Sequence, residues 1–111
     1  MFIDIHVHTR TLPGPSRPGR PDGEPAYATP EQLLERYEPI QVEAAVLLPN
    51  GSPECSLIPQ SNQEMLQICE AHPGRFIPFC NVDPRSIRNS SDAPLGHLLD
   101  FYRDNGYKGI G

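Results

Sequence analysis

Phe2-Ile3-Asp4-Ile5-His6-Val7-His8-Thr9 is the stretch on which the fold turns. Apolar and polar residues alternate along it, as in a β-strand whose successive side chains take opposite faces. That pattern predicts Ile3, Ile5 and Val7 on one face and Asp4, His6 and His8 on the other. The rest of the chain reads as βα units, whose parallel strands are covered on both faces and run near-continuously apolar. A polar file inside such a sheet calls for a chemical reason. Two imidazoles at i and i+2, near the C-terminal end of a first strand, are placed to share a metal ion.

Beyond Thr9, the segment from Arg10 to Ala28 holds five prolines and three glycines. It suits neither a helix nor an interior strand, and its length marks it as a functional or a disordered loop. Thr29-Pro30-Glu31-Gln32 then opens a helix, with Thr29 as N-cap, Pro30 in the first turn and Gln32 completing a capping box. Leu33, Leu34 and Tyr37 form its buried stripe and Pro39 ends it. Val42 to Leu48 reads as the second strand. Ser61 to Glu64 is a second capping box, and Met65, Ile68, Cys69 and His72 fall at helical spacing. Gly74 supplies a left-handed turn. Arg75 to Val82 is the third strand despite Pro78, because aromatic and β-branched residues surround it. Asp92 to Asn105 gives a third helix with Leu95, Leu98, Leu99 and Tyr102 on one face, and Tyr107 to Gly111 begins a fourth strand.

Strand and helix therefore alternate, which implies a parallel sheet in an α/β fold. No glycine-rich fingerprint follows the first strand, so a dinucleotide-binding sheet is disfavoured. An inward polar file suits a TIM-like (β/α)₈ barrel, whose active sites gather at the C-terminal strand ends. Such barrels take ~250 residues and this chain has 111. The expectation is the first half of a barrel, about four strands, with residues 1–111 forming the N-terminal portion of one incomplete domain. Its last strand would present an open hydrogen-bonding edge.

Composition narrows the partners. The chain carries 9 basic and 14 acidic residues, a formal charge of -5, which argues against nucleic acid and against an anionic membrane. No apolar run reaches membrane-spanning length and no signal peptide is visible. Cys55, Cys69 and Cys80 match neither a zinc ribbon nor a disulfide framework, and read as reduced thiols of a cytoplasmic protein.

Several stretches together resemble the amidohydrolase superfamily, and within it the amidohydrolase-related group that includes aminocarboxymuconate semialdehyde decarboxylase-like enzymes. The matching residues are Ile3 to His8, Asn62 through His72-Pro73-Gly74-Arg75-Phe76-Ile77-Pro78-Phe79, Asn81-Val82-Asp83-Pro84-Arg85, and Gly106 to Gly111. The resemblance implies a metal-dependent barrel with a divalent cation, usually zinc, and two ligands from His6 and His8. It also implies further histidines from the fifth and sixth strands and an aspartate from the eighth, positions this sequence does not contain. His72 and His97 lie on predicted helices, away from the strand ends, and do not replace them. The implied activity is hydrolysis of a small organic substrate by metal-activated water, or non-hydrolytic decarboxylation.

Arg10, leaving the first strand directly after the histidines, and Asn81 and Arg85, near the end of the third, are the candidate substrate-binding residues. Asp4 reads as a buried structural carboxylate or a partner of a ligand histidine. For Asp83-Pro84 a turn is favoured, for Cys80 core packing, and for Lys108 a solvated strand start. Two histidines alone serve equally as hydrogen-bonded core residues. A histidinol-phosphatase type of phosphoesterase would place Thr-Asp-His where Leu48-Pro49-Asn50-Gly51 stands, and a TatD-like nuclease finds no help in the acidic balance. The alternative of another class is a truncated, inactive half-barrel that binds only a metal or a partner, and a homo-oligomer is compatible with it.

Overall fold

The computed structural model describes residues 2–12, 14, 25–51 and 59–111. In chain order the elements are β1 (Phe2–Val7), α1 (Pro30–Tyr37), β2 (Val42–Leu47), α2 (Asn62–Ala71), β3 (Phe76–Cys80), α3 (Gly96–Asp104) and β4 (Gly109–Ile110). The strands pair in parallel in the order β1-β2-β3-β4. Together with the helices they make a curled α/β half-barrel, as expected. Cys55 and most of the proline-rich loop lie outside the described residues. Among the described residues no helix is long and apolar enough to cross a membrane.

The helix starts follow local chemistry. Thr29 Oγ1 accepts the Gln32 N–H while Gln32 Oε1 accepts the Thr29 N–H, closing the capping box at α1. After Tyr37 the chain tightens into a 3₁₀ turn, Glu38–Ile40, and Gln41 enters the left-handed region at φ 57°. At α2 only half of the predicted box forms. Ser61 Oγ accepts the Glu64 N–H, but the Glu64 carboxylate takes the Thr11 N–H instead, because the chain leaving β1 passes over this first turn.

Leu33 and Tyr37 of α1, Ala45 and Leu47 of β2, Met65 and Ile68 of α2 and Phe76 of β3 form one buried cluster between sheet and helices. Pro78 sits inside β3 without breaking it. Its carbonyl accepts from Lys108 N at 2.8 Å, and β4 begins one residue later, with Gly109 opposite Phe79. The missing N–H therefore falls at the mouth of the β3–β4 ladder. Gly109 itself is dictated by that neighbour, since a Cβ there would meet the Phe79 ring at 2.5 Å.

Two expectations need correction. The third helix starts at Gly96, not Asp92. Arg88 and Ser90 both hold the Asp92 carboxylate, folding residues 88–95 into turns ahead of the helix. The apolar face of β1 is also not what alternation predicts. Val7 packs on the buried cluster, but Ile3 and Ile5 are 56% and 78% exposed. Phe2 at this end, and Phe101 and Ile110 at the other, are exposed as well. Among the described residues, β1 and β4 are the open margins of the sheet, where no further layer covers these side chains.

Candidate metal centre

The candidate site begins with an irregularity in β1. Asp4 pairs with Ala45 and Val7 with Leu47, so the ladder to β2 skips Ile5 and His6. Ala45 and Leu47 both belong to the helix-side cluster, so Asp4 and Val7 share the helix side although they are three positions apart. One extra residue, a β-bulge, accounts for this. Asp4 therefore does not share the histidines' face, as alternation predicted. Its Oδ2 accepts the Tyr37 hydroxyl at 2.7 Å and its Oδ1 the His6 backbone N–H at 3.0 Å. It is a half-buried structural carboxylate that grips the main chain, not an imidazole.

Past the bulge the two rings converge. His6 Nε2 and His8 Nε2 lie 3.2 Å apart, with the ring planes at 82°. His6 is exposed and His8 half-buried. His8 Nδ1 lies 2.7 Å from the Leu48 carbonyl at the end of β2. A carbonyl only accepts, so Nδ1 carries the proton and Nε2 of His8 keeps its lone pair. When both imidazoles are neutral, that tautomer makes His6 Nε2 the donor of the contact between the rings. The following residues are anchored firmly. Thr9 is fully buried, its hydroxyl donates to Ala28 O, and its carbonyl accepts from the buried Gln60 Nε2.

A histidine pair is not a full coordination shell. Among the described residues no group of three or more His, Cys, Asp or Glu is gathered to hold a metal ion. His72 faces Glu31 of α1 at 3.5 Å and stacks edge-on to Phe76 of β3, and His97 Nδ1 bonds Pro94 O, so both are engaged away from the histidine pair.

The candidate substrate residues sit at the same end of the sheet but do not converge on the histidines. Arg10 reaches Pro59 O at 3.4 Å. Arg85 is forked onto the Asp83 carboxylate, with both contacts at 3.0 Å. That guanidinium and the Arg85 N–H hold the Asp83 carboxyl below the usual range. Asp83-Pro84 is a turn, closed by Ser86 N–H on Asp83 O. Lys108 is exposed. Cys80 is buried in packing and burial pushes its thiol up, and burial pushes the Cys69 thiol up to about 12. Neither is a nucleophile at neutral pH.

Asn81 has the most specific surroundings. Asn62 accepts the Asn81 N–H at 2.8 Å and donates to the Asn81 carbonyl at 2.9 Å, so one side-chain amide replaces a ladder partner where β3 ends. Asn81 Nδ2 in turn donates to Gly111 O at 3.0 Å. An open cleft of ≈ 440 Å³ lies here, lined by Gly51, Gln60, Asn62, Asn81 and Asp83 among others. Gln60 Oε1 is buried beside it with no hydrogen-bond partner among the described residues. Sequence reasoning missed the Asn62 bracket, because amide side chains carry no signal of their partners. Asn62→Ala is expected to cost about 2 kcal/mol, the penalty for stranding a part-buried donor and acceptor. Urea denaturation measures it, and a loss below about 0.5 kcal/mol would show that water replaces the amide freely.

No protein-family model matches the sequence, and no curated protein matches it. Among solved structures the chain is similar to a probable 2-pyrone-4,6-dicarboxylic acid hydrolase from Acinetobacter baumannii, crystallised with citric acid bound. The identity is 18% and the TM-score 0.55, over 97% of this chain and 36% of that one. This chain therefore spans about a third of the hydrolase's length. The likeness establishes a shared fold: four parallel strands with their helices, as in half of a TIM-like barrel.

Proposed function

We propose that this chain is the first half of a metal-dependent hydrolase barrel of the amidohydrolase type, acting on a small organic substrate. His6 and His8 supply two ligands to a divalent cation, zinc foremost. The observation that carries the proposal is the convergence of the two Nε2 atoms at 3.2 Å, with His8 Nδ1 on the Leu48 carbonyl. Tetrahedral zinc with bonds of ~2.0–2.1 Å to imidazole holds two ring nitrogens roughly 3.3 Å apart, so the pair fits that ion with little adjustment. A backbone acceptor on the outer ring nitrogen is also what ligating histidines usually have. The chemistry such a cation supplies when bound is to acidify water and polarise a carbonyl.

The neighbour whose fold this chain shares is itself a probable hydrolase, which supports the reaction class. Arg10, Asn81 and Arg85 stand as substrate contacts by their position at the C-terminal strand ends.

With two ligands and no third among the described residues, the 111-residue chain binds a cation and does not turn over substrate. Isothermal titration of the metal-stripped protein with Zn²⁺ tests this. Saturable uptake of one ion per chain is expected, with no hydrolysis of lactone or amide substrates. Absence of saturable uptake would overturn the ligand assignment, and robust turnover would overturn the assignment of this chain as half a site.

A further inference from the structure

We infer that Tyr37 is a positioning residue for the histidine pair: through Asp4 it holds the β1 backbone in the bulge that turns the His6 ring onto His8. The inference rests on reading His6 and His8 as ligands, and assigns how their separation is maintained.

The bulge leaves the main chain at Ile5 and His6 out of the ladder to β2. A strand without its ladder bonds has no fixed direction for the side chain it carries. Here the lost anchor is replaced. The Asp4 carboxylate is a two-ended clamp, with one oxygen on the His6 N–H at 3.0 Å and the other under the Tyr37 hydroxyl at 2.7 Å. Tyr37 is 6% exposed and belongs to the buried cluster that joins α1 to the sheet. The clamp is thus seated in the rigid part of the fold, while the ring it governs is exposed. Burial, with Asp4 second, keeps the hydroxyl protonated far above neutral pH, so it stays a donor. His8 needs no such device, because Leu48 O holds its ring directly. The pair is therefore fixed from two sides, His8 by β2 and His6 by α1 through Asp4.

Tyr37→Phe keeps the ring in the core and removes only the hydroxyl. Two readouts are taken on folded protein. Long-range ¹H–¹⁵N spectra of the metal-free chain report the ring nitrogens, and a Co²⁺ titration followed by visible absorption reports ligand convergence. In Tyr37→Phe the His6 ring signals are expected to lose their pairing with His8, the His8 Nδ1 proton to persist, and Co²⁺ affinity to fall about tenfold, the scale of losing a group that orients a ligand. Asp4→Ala should behave the same way, and serves the test if the phenylalanine variant does not fold. Asp4→Asn keeps an acceptor for the His6 N–H and turns the Tyr37 hydroxyl into an acceptor, so it should retain affinity within about twofold. Leu34→Ala loosens α1 packing without touching Asp4, and should leave both readouts unchanged.

Unaltered His6 signals and Co²⁺ affinity in Tyr37→Phe and Asp4→Ala would overturn the inference. Equal losses in Asp4→Asn or Leu34→Ala would also overturn it, by reducing the effect to general destabilisation. If the wild-type chain takes up no Co²⁺ yet Tyr37→Phe still uncouples the rings, the ligand reading falls and the positioning role stands.

Discussion

Leu47→Ala is expected to lower the stability of the chain by about 3 kcal/mol, the middle of the range for emptying a leucine site in a packed core. Leu47 is fully buried on β2, opposite Val7 of β1 and Pro78 of β3, and belongs to the cluster of Leu33, Tyr37, Met65, Ile68 and Phe76. It is one of the few side chains on which sheet and helices meet, so the cavity has little freedom to collapse. Domains of this size hold roughly 5–15 kcal/mol in all, and a sheet with two open margins lies towards the low end. The urea midpoint should fall with little change in slope. Ile5→Ser is the matched control, because Ile5 has the same side-chain bulk but is 78% exposed, and its effect should stay within about 0.5 kcal/mol. A Leu47→Ala loss below about 1 kcal/mol would mean that the buried cluster is not the core of the protein.

That contrast also shows what alternation can and cannot tell. Apolar residues at every second position of β1 identify a strand, but not whether anything lies against its face. Val7 packs on the buried cluster because the bulge brings it to the helix side with Asp4, whereas Ile3 stands on the opposite face from Asp4 and Ile5 lies within the bulge, and both are exposed. The helix starts were legible for the opposite reason. Thr29 and Gln32 satisfy one another within a single turn, so the sequence window contains the whole interaction. Glu64 was misread because its partner, Thr11, comes from another part of the chain. Residues 92–95 were misread because helical spacing of leucines ignores a carboxylate already claimed by Arg88 and Ser90.

The site divides in the same way. Two histidines at i and i+2 announce themselves, since both rings belong on one side of a strand whatever surrounds them. The groups that orient them do not. The Leu48 carbonyl is main chain and invisible as a residue type, and Tyr37 reaches Asp4 across 33 positions. The bulge that separates Asp4 from the histidines' face follows from that long-range contact and from the β2 register, neither of which has a local signature.

His8→Ala carries the largest expected functional effect. Four-ligand zinc sites bind with about 10–16 kcal/mol in small domains, so one imidazole accounts for roughly 3 kcal/mol, or about two orders of magnitude in affinity. His6→Ala should lose as much, because each variant reduces a chelating pair to a single donor. Stability separates the two. His6 is exposed, and its ring contacts His8, so its removal should leave the urea midpoint where it was. His8 also satisfies the Leu48 carbonyl and lies 6.0 Å from the Tyr27 ring, joining the end of β1 to β2. Its loss should therefore cost a further 1 kcal/mol or so. Zn²⁺ titration and urea denaturation of both variants measure the two effects side by side. Wild-type affinity in either variant would place the cation elsewhere. An equal drop in stability for both would mean that Leu48 does not hold the His8 ring, and that the geometry which makes the pair a chelate is not enforced by β2.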